Sequence, residues 1–307
     1  MTLAAQLADF AVGYPYDQIP DAVTDSVRHR VLDVLGICIA ASPLDTSAAA
    51  RAFARTQGGR PEAHAVGIAE PLPASLAGFV NGTLAHSLDY DDTHLPSVLH
   101  PSASVVPAAL AAAEAAGRNG RQVVAAIACG LEVCVRIGMA GVDEASGTNA
   151  FFEHGQHATS ICGTLGAAVA CGLLAGFGAE DLVHVMGIAA SMGSGLIEAN
   201  RSGGTVKRMH CGWAAHSAIV ATELVRLGFT GPPTVLEGRF GFFEAWLHRE
   251  VVPRRVVAGL GELASRTGAD ELMVSTRAHS YEPRIRSLRL VAGAWGLEPA
   301  TGRPDAA

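Results

Sequence analysis

An all-α domain is the fold this 307-residue sequence predicts, on three features: apolar stripes at helical spacing, few alternating strand patterns, and glycines where helices should stop. The stripe Val23, Val27, Val31, Val34, Leu35 and Cys38 predicts an amphipathic helix over residues 21–39. Residues 103–116 are Ala-rich and run into Gly117, which suits the left-handed turn after a helix. Residues 122–137 are apolar almost throughout, which predicts a central helix rather than a surface one. The charge-free run 158–179 is long enough to span a bilayer. Its glycines at 163, 166, 172, 176 and 178, and the acids Glu180 and Asp181 at its end, instead predict a helix buried on all sides, with no membrane partner. Those acids open a helix over 182–191, where carboxylates suit the positive end. A last helix, 214–227, closes at Gly228.

Composition narrows the function classes. Hydrophobic residues at 49%, charged residues at 17% and a mean hydropathy of +0.28 exclude a disordered chain or a coiled coil. Acidic residues outnumber basic ones, 29 to 22, which excludes a nucleic-acid partner. The N-terminus carries Asp9 and no basic lead, so no signal peptide is expected. Cys38, Cys129, Cys134, Cys162, Cys171 and Cys211 show no CxxC spacing and sit mostly in apolar runs, as reduced core thiols of a cytoplasmic protein would. Beyond residue 249 the character changes: residues 250–307 carry 8 Arg and 7 acids, against 14 basic and 22 acidic residues before them. An amphipathic segment (256–265), a β-like stretch (272–276) and a second helical pattern (285–295) make this an α-β-α tail, with a disordered Pro/Ala-rich end. The expected division is a helical domain, 1–249, and the tail, 250–307.

Residues able to carry chemistry fall in three clusters. The first holds His86, Asp89, Asp91, Asp92, Thr93, His94 and His100. If the helix entering from Leu76 runs through it, Asp89 and Thr93 share one face. So many carboxylates in so few positions repel one another unless they are paired, capping or ligating. A polar helix end followed by a turn fits equally well. A metal site would also use His and Asp, but no HxxxH or HxxE pair is present, and no metal is expected. The second cluster, Glu153 to Ser160, includes His154 and His157 and leads into the buried apolar helix, where a histidine could equally be a cap. The third, Arg201 to Trp213, contains Lys207, Arg208 and His210 and reads as a glycine-bearing loop between two helices. Lys207 is the only lysine in the chain, through codon bias or because the position needs a compact ammonium. No Lys or Arg occurs at 61–117 or 137–200, so Arg201, Lys207 and Arg208 form a cationic island in an acidic, apolar stretch. Histidines beside a lysine suit proton transfer α to a carboxylate whose charge the cation stabilises. The chemistry indicated is cofactor-free elimination, decarboxylation or epimerisation.

The stretch GFVNGTLAHSLDYDDTHLPSVLHPSASVVPAALA (78–111) resembles the signature of the MmgE/PrpD family. HGQHATSICGTLGAAVACGLLAG (154–176) and GTVKRMHCGWAAHSAIVATELVRLGFTGPPTVLEGRFGFFEAW (204–246) resemble its later blocks, in order. That family includes 2-methylcitrate dehydratase, cis-aconitate decarboxylase and iminodisuccinate epimerase. Over residues 1–248 the resemblance implies a large all-helical domain, a homodimer, and a small di- or tricarboxylate substrate handled without metal or cofactor. Matched one by one, it implies catalytic roles for Asp89, His100, His157 and Lys207, and substrate contacts for Thr93 and His210. In this reading His100 or His157 moves the α-proton, Lys207 and His210 hold carboxylates, and Asp89 orients a histidine. Family members continue into an α/β lid domain that supplies a second pocket lysine. Here the short tail stands in the lid's place, and its residues 256–297 resemble the C-terminal end of a luciferase-like flavin monooxygenase. The expectation is a fusion or truncation with 2-methylcitrate dehydratase-like activity. The alternatives are another reaction of the family or a catalytically silent remnant that keeps only the dimerising core.

Overall fold

The computed structural model describes residues 1–143 and 147–248, together with Val251, Val256 and Val257. Twelve α-helices are present among them, besides a short 3-10 helix at Tyr16–Gln18: α1 (Leu3–Val12), α2 (Asp21–Ala41), α3 (Asp45–Gln57), α4 (Ala74–Ala85), α5 (Ser102–Ala115), α6 (Gly120–Ala140), α7 (Ala150–Glu153), α8 (Ala158–Ala175), α9 (Ala179–Ala189), α10 (Ala199–Ser202), α11 (Val206–Arg226) and α12 (Phe242–Leu247). No sheet forms among the described residues, and extended pairing is limited to isolated bridges such as His94 with Leu99 and Gln156 with Leu196. The predicted all-α class holds.

The sequence of α8 explains why it is central. Its side chains are small or apolar all round, and every residue from Ala158 to Gly172 is buried. Around it pack α5, α6, α9 and α11. By length and composition α6 and α8 could each cross a membrane, but 89% of the most apolar stretch of α8 is covered by the domain itself. A second tight pairing, α4 against α11, sets the site. A Cβ on Gly212 would fall 2.2 Å from Thr83 Oγ1 and 2.3 Å from the Phe79 carbonyl oxygen. Only glycine allows these backbones to touch, and the touch brings the end of α4 beside the first turns of α11. The flanks are closed by α1 on α9 and by α2 and α3 on α4.

Several boundaries match expectation closely, including Asp21 at the start of α2 and Gly117, at φ 61°, just after α5. Three features differ. α6 is not central: it carries an Asn119–Gln122 capping box, and only 50% of its most apolar stretch is buried, because one side faces α8 and the other is partly open. α11 begins at Val206, not 214, so Lys207, Arg208 and His210 lie on a helix, and only residues 203–205 of the third cluster form a loop. Gly203 and Gly204, at φ 88° and 107°, end the preceding loop and let the helix start there. In the first cluster, α4 stops at Ala85 and residues 86–101 form a folded loop, so no helix face carries Asp89 and Thr93. The expected β-like stretch, second tail helix and disordered end, at 272–307, lie outside the described residues. Val256 is buried, and its carbonyl accepts from Arg136 Nη1 on α6 at 3.2 Å.

Candidate active site

The 86–101 loop separates its three carboxylates by giving each a different partner. Asp92 pairs with buried Arg30 from α2 and accepts from Ser102 N at 3.0 Å and Ser102 Oγ at 2.7 Å. It ties the loop to two helices and has no part in the site itself. Asp91 turns inward and accepts from His86 Nδ1 at 2.7 Å, with both side chains fully buried. Asp89 turns outward. Its backbone is left-handed, φ 57°, a conformation Asp tolerates, and its Oδ1 accepts from Lys207 Nζ at 2.6 Å. The carboxylate expected to orient a histidine therefore holds the lysine, and Asp91 orients the histidine.

His100 sits at the far end of the loop. Its Nδ1–H donates to the Asp92 carbonyl at 3.0 Å, with Thr93 Oγ1 at 3.3 Å and Asp91 Oδ2 at 3.7 Å. A neutral His100 so bonded carries its lone pair on Nε2. Its backbone N–H donates to Thr159 Oγ1 at 3.2 Å, which fixes the loop on α8. His157 occupies the residue before α8 but caps nothing with its side chain. Its Nδ1 lies 3.0 Å from His210 Nδ1 on α11, so one ring donates and the other accepts. Gly195 makes room for this pair. At φ 144°, a Cβ there would lie 3.1 Å from His157 Cβ and 3.3 Å from His210 Nδ1. His94 and His154 do not join the group: His94 bonds Ser97 Oγ at 2.6 Å, and His154 bonds the Trp246 carbonyl at 3.2 Å.

The rings form a contiguous row. Centroid separations are 5.4 Å for His100–His86, 5.4 Å for His86–His157 and 5.0 Å for His157–His210. Their electrostatics diverge. Burial opposes charge on His86, but Asp91 at its Nδ1, with Cys211 beside the ring, outweighs burial and holds its pKa well above the usual value. Burial, followed by the neighbouring positive groups, pushes His157 far down and His210 down to about 4. Burial also lowers His100, against the pull of Asp91. For Asp89 burial raises the pKa, but the Lys207 hydrogen bond and charge prevail and lower it. The arrangement is one buried charged pair, three neutral histidines and a lysine at the open side, with Lys207 and Asp89 side chains 22% and 62% exposed.

His86, Asp89 and Asp91 bring ligand atoms within 4.8 Å of one another. The set suits a metal ion poorly, because the Lys207 ammonium sits on Asp89 Oδ1 and His86 Nδ1 on Asp91 Oδ2. Of the residues picked out by sequence, Asp89, Thr93, His100, His157, Lys207 and His210 all converge here. His86 and Asp91 stood in the first cluster but were given no role and were not paired. Their spacing makes a pair only if the chain turns sharply after α4, and a helix continued through the cluster hides that.

The MmgE/PrpD N-terminal domain matches residues 5–254 of this chain. A cis-aconitate decarboxylase from Homo sapiens is 32% identical over 255 residues, covering 78% of this chain and 50% of that protein. The Mus musculus cis-aconitate decarboxylase is 30% identical over 255 residues, 78% of this chain and 49% of its own. One from Aspergillus terreus (strain NIH 2624 / FGSC A1156) is 27% identical over 274 residues, 84% of this chain and 54% of its own. The chain thus spans about half the length of the curated relatives it matches. A helical fold over the described residues and a domain match across most of the chain's length lead to one conclusion: the chain belongs to the MmgE/PrpD family.

Proposed function

We propose that this domain carries the carboxylate-holding and proton-moving part of a lyase site for small tricarboxylates, working without metal or cofactor. The observation that carries the reading is geometric: His100, His157 and His210 gather around His86 in one contiguous row, with Lys207 at its open side. Breaking a C–H or C–C bond next to a carboxylate leaves an electron pair that must be delocalised onto that carboxylate. Lys207 at the open side, with His210 behind it, is placed to hold the charge. A neutral imidazole can take a proton from carbon, and its conjugate acid can return one. His100 and His157 are the candidates, and Thr93 at His100 Nδ1 is a substrate contact within reach. Asp89 is the partner of Lys207 rather than of a histidine until a substrate carboxylate takes its place.

Within this class, the relatives named cis-aconitate decarboxylase favour loss of CO2 over the dehydration of 2-methylcitrate. In such a step the C–C bond to the departing carboxyl breaks, the double bond shifts, and a histidine supplies the proton to the far carbon. Assembly as a homodimer through the helical domain belongs to the same proposal. The test is incubation of the full chain with cis-aconitate, 2-methylcitrate and iminodisuccinate, with products identified by NMR. Itaconate from cis-aconitate supports the decarboxylase reading, and hydration or dehydration products support the dehydratase. Turnover of none would favour a silent remnant and sink the proposal.

A further inference from the structure

We infer that His86, held in place by Asp91, is a buried positioning cation that opposes protonation of His100 and His157 without touching substrate. The inference deepens the acid–base reading and rests on it. The pair has the geometry for the task. Asp91 fixes the Nδ1–H of His86 at 2.7 Å, and neither side chain is exposed. The His86 ring stands 5.4 Å from both candidate bases, so it is the one histidine that neighbours both. Asp91 Oδ1 is buried without a hydrogen-bond partner, and Cys211 lies beside the His86 ring. Polar atoms in that state cost stability and are kept where they serve an arrangement.

The groups facing His86 come from three elements. Asp89, Asp91 and His100 lie on its own loop, His157 at the start of α8, and His210 and Cys211 on α11. A cation at His86 repels a proton on either neighbour, while Asp91 keeps the buried pair neutral as a whole. Removing the ring takes away that cation and leaves Asp91 uncompensated, and both changes make His100 and His157 easier to protonate. At a ring separation of 5.4 Å the expected rise in their midpoints is about 0.5 to 2 pH units, for effective dielectric constants between water and a protein surface.

The experiment uses the full chain labelled with ¹⁵N at histidine and needs no substrate. In the wild type, His86 should show two protonated nitrogens from about pH 6 to 8, with His100 and His157 neutral in single tautomers. In His86→Gln the midpoints of His100 and His157 should move upward by the stated amount. If turnover is detected, the acid limb of kcat/KM should move with them, while a purely structural role would lower stability and leave the limb in place. A neutral His86 in the wild type overturns the inference even if the variant fails to fold. Unmoved midpoints in a folded variant overturn it too. Absence of turnover would sink the lyase reading while leaving the titrations to decide this one.

Discussion

Lys207 and Asp89 meet at the open side of the site, 2.6 Å apart and both partly exposed. Such a pair is worth about 0.2–1 kcal/mol, since water screens it and two side chains must be held still. A ligand carboxylate seated on the same ammonium in a partly dry pocket gains about 1.5–3 kcal/mol. The ligand therefore outcompetes Asp89, and the three substitutions have separate signatures. Lys207→Ala should weaken a dicarboxylate such as citraconate about ten- to a hundred-fold. Asp89→Asn removes the competitor and should tighten binding by roughly 1.5- to 5-fold. Lys207→Arg keeps the charge but brings a planar fork to a place shaped around a point donor, and should bind nearly as poorly as Ala. Calorimetric titration near neutral pH measures all three. Wild-type affinity in Lys207→Arg would mean that a lysine here has no special purpose. Weaker binding in Asp89→Asn would make Asp89 a contact and not a competitor.

Two further outcomes follow from the anchoring of the loop and from its histidines. Asp92→Asn removes one buried charge partner from Arg30 and the tie between the loop and α2, and should cost about 3 kcal/mol, lowering the melting temperature by roughly 6–12 °C; an unchanged melt would refute the anchoring role. Burial holds His94 and His210 near pKa 4 in the fold, below the usual 6.5, so the unfolded chain binds more protons between those values. Their stability contribution is full above about pH 6.5 and drains away as pH falls toward 4, whereas His86, shifted upward, contributes in the opposite sense. Thermal melts at about pH 7.5 and 5 should show the lower stability at 5, and equal melts would contradict the assignment.

The helices were legible where one physical signal dominated. α8 is apolar on every face and α2 on one stripe, and each appears where its pattern puts it. The errors came where local pattern and tertiary contact compete. α11 starts eight residues before its apolar stripe because its polar first turns face the site, and a site-facing turn reads as a loop. α6 looks central by composition, but hydrophobicity does not say how much of a helix its neighbours cover. At the site, the residue types were readable and their pairings were not. Asp92 meets Arg30 from α2, Asp89 meets a lysine on α11, and Asp91 closes on His86 only because α4 ends at Ala85. A carboxylate's partner is decided by the turn of the chain, which no spacing rule records.

The most direct test of the central claim, that a histidine of this site moves a proton at carbon beside a carboxylate, is product analysis in D2O. The full chain is incubated with cis-aconitate, and the product is read by ¹H NMR and mass. The account predicts a product carrying a single solvent deuteron on the methylene next to a carboxylate, and loss of that product in His157→Gln or His100→Gln. A product formed without deuterium, or formed equally well when both histidines are replaced, would contradict it.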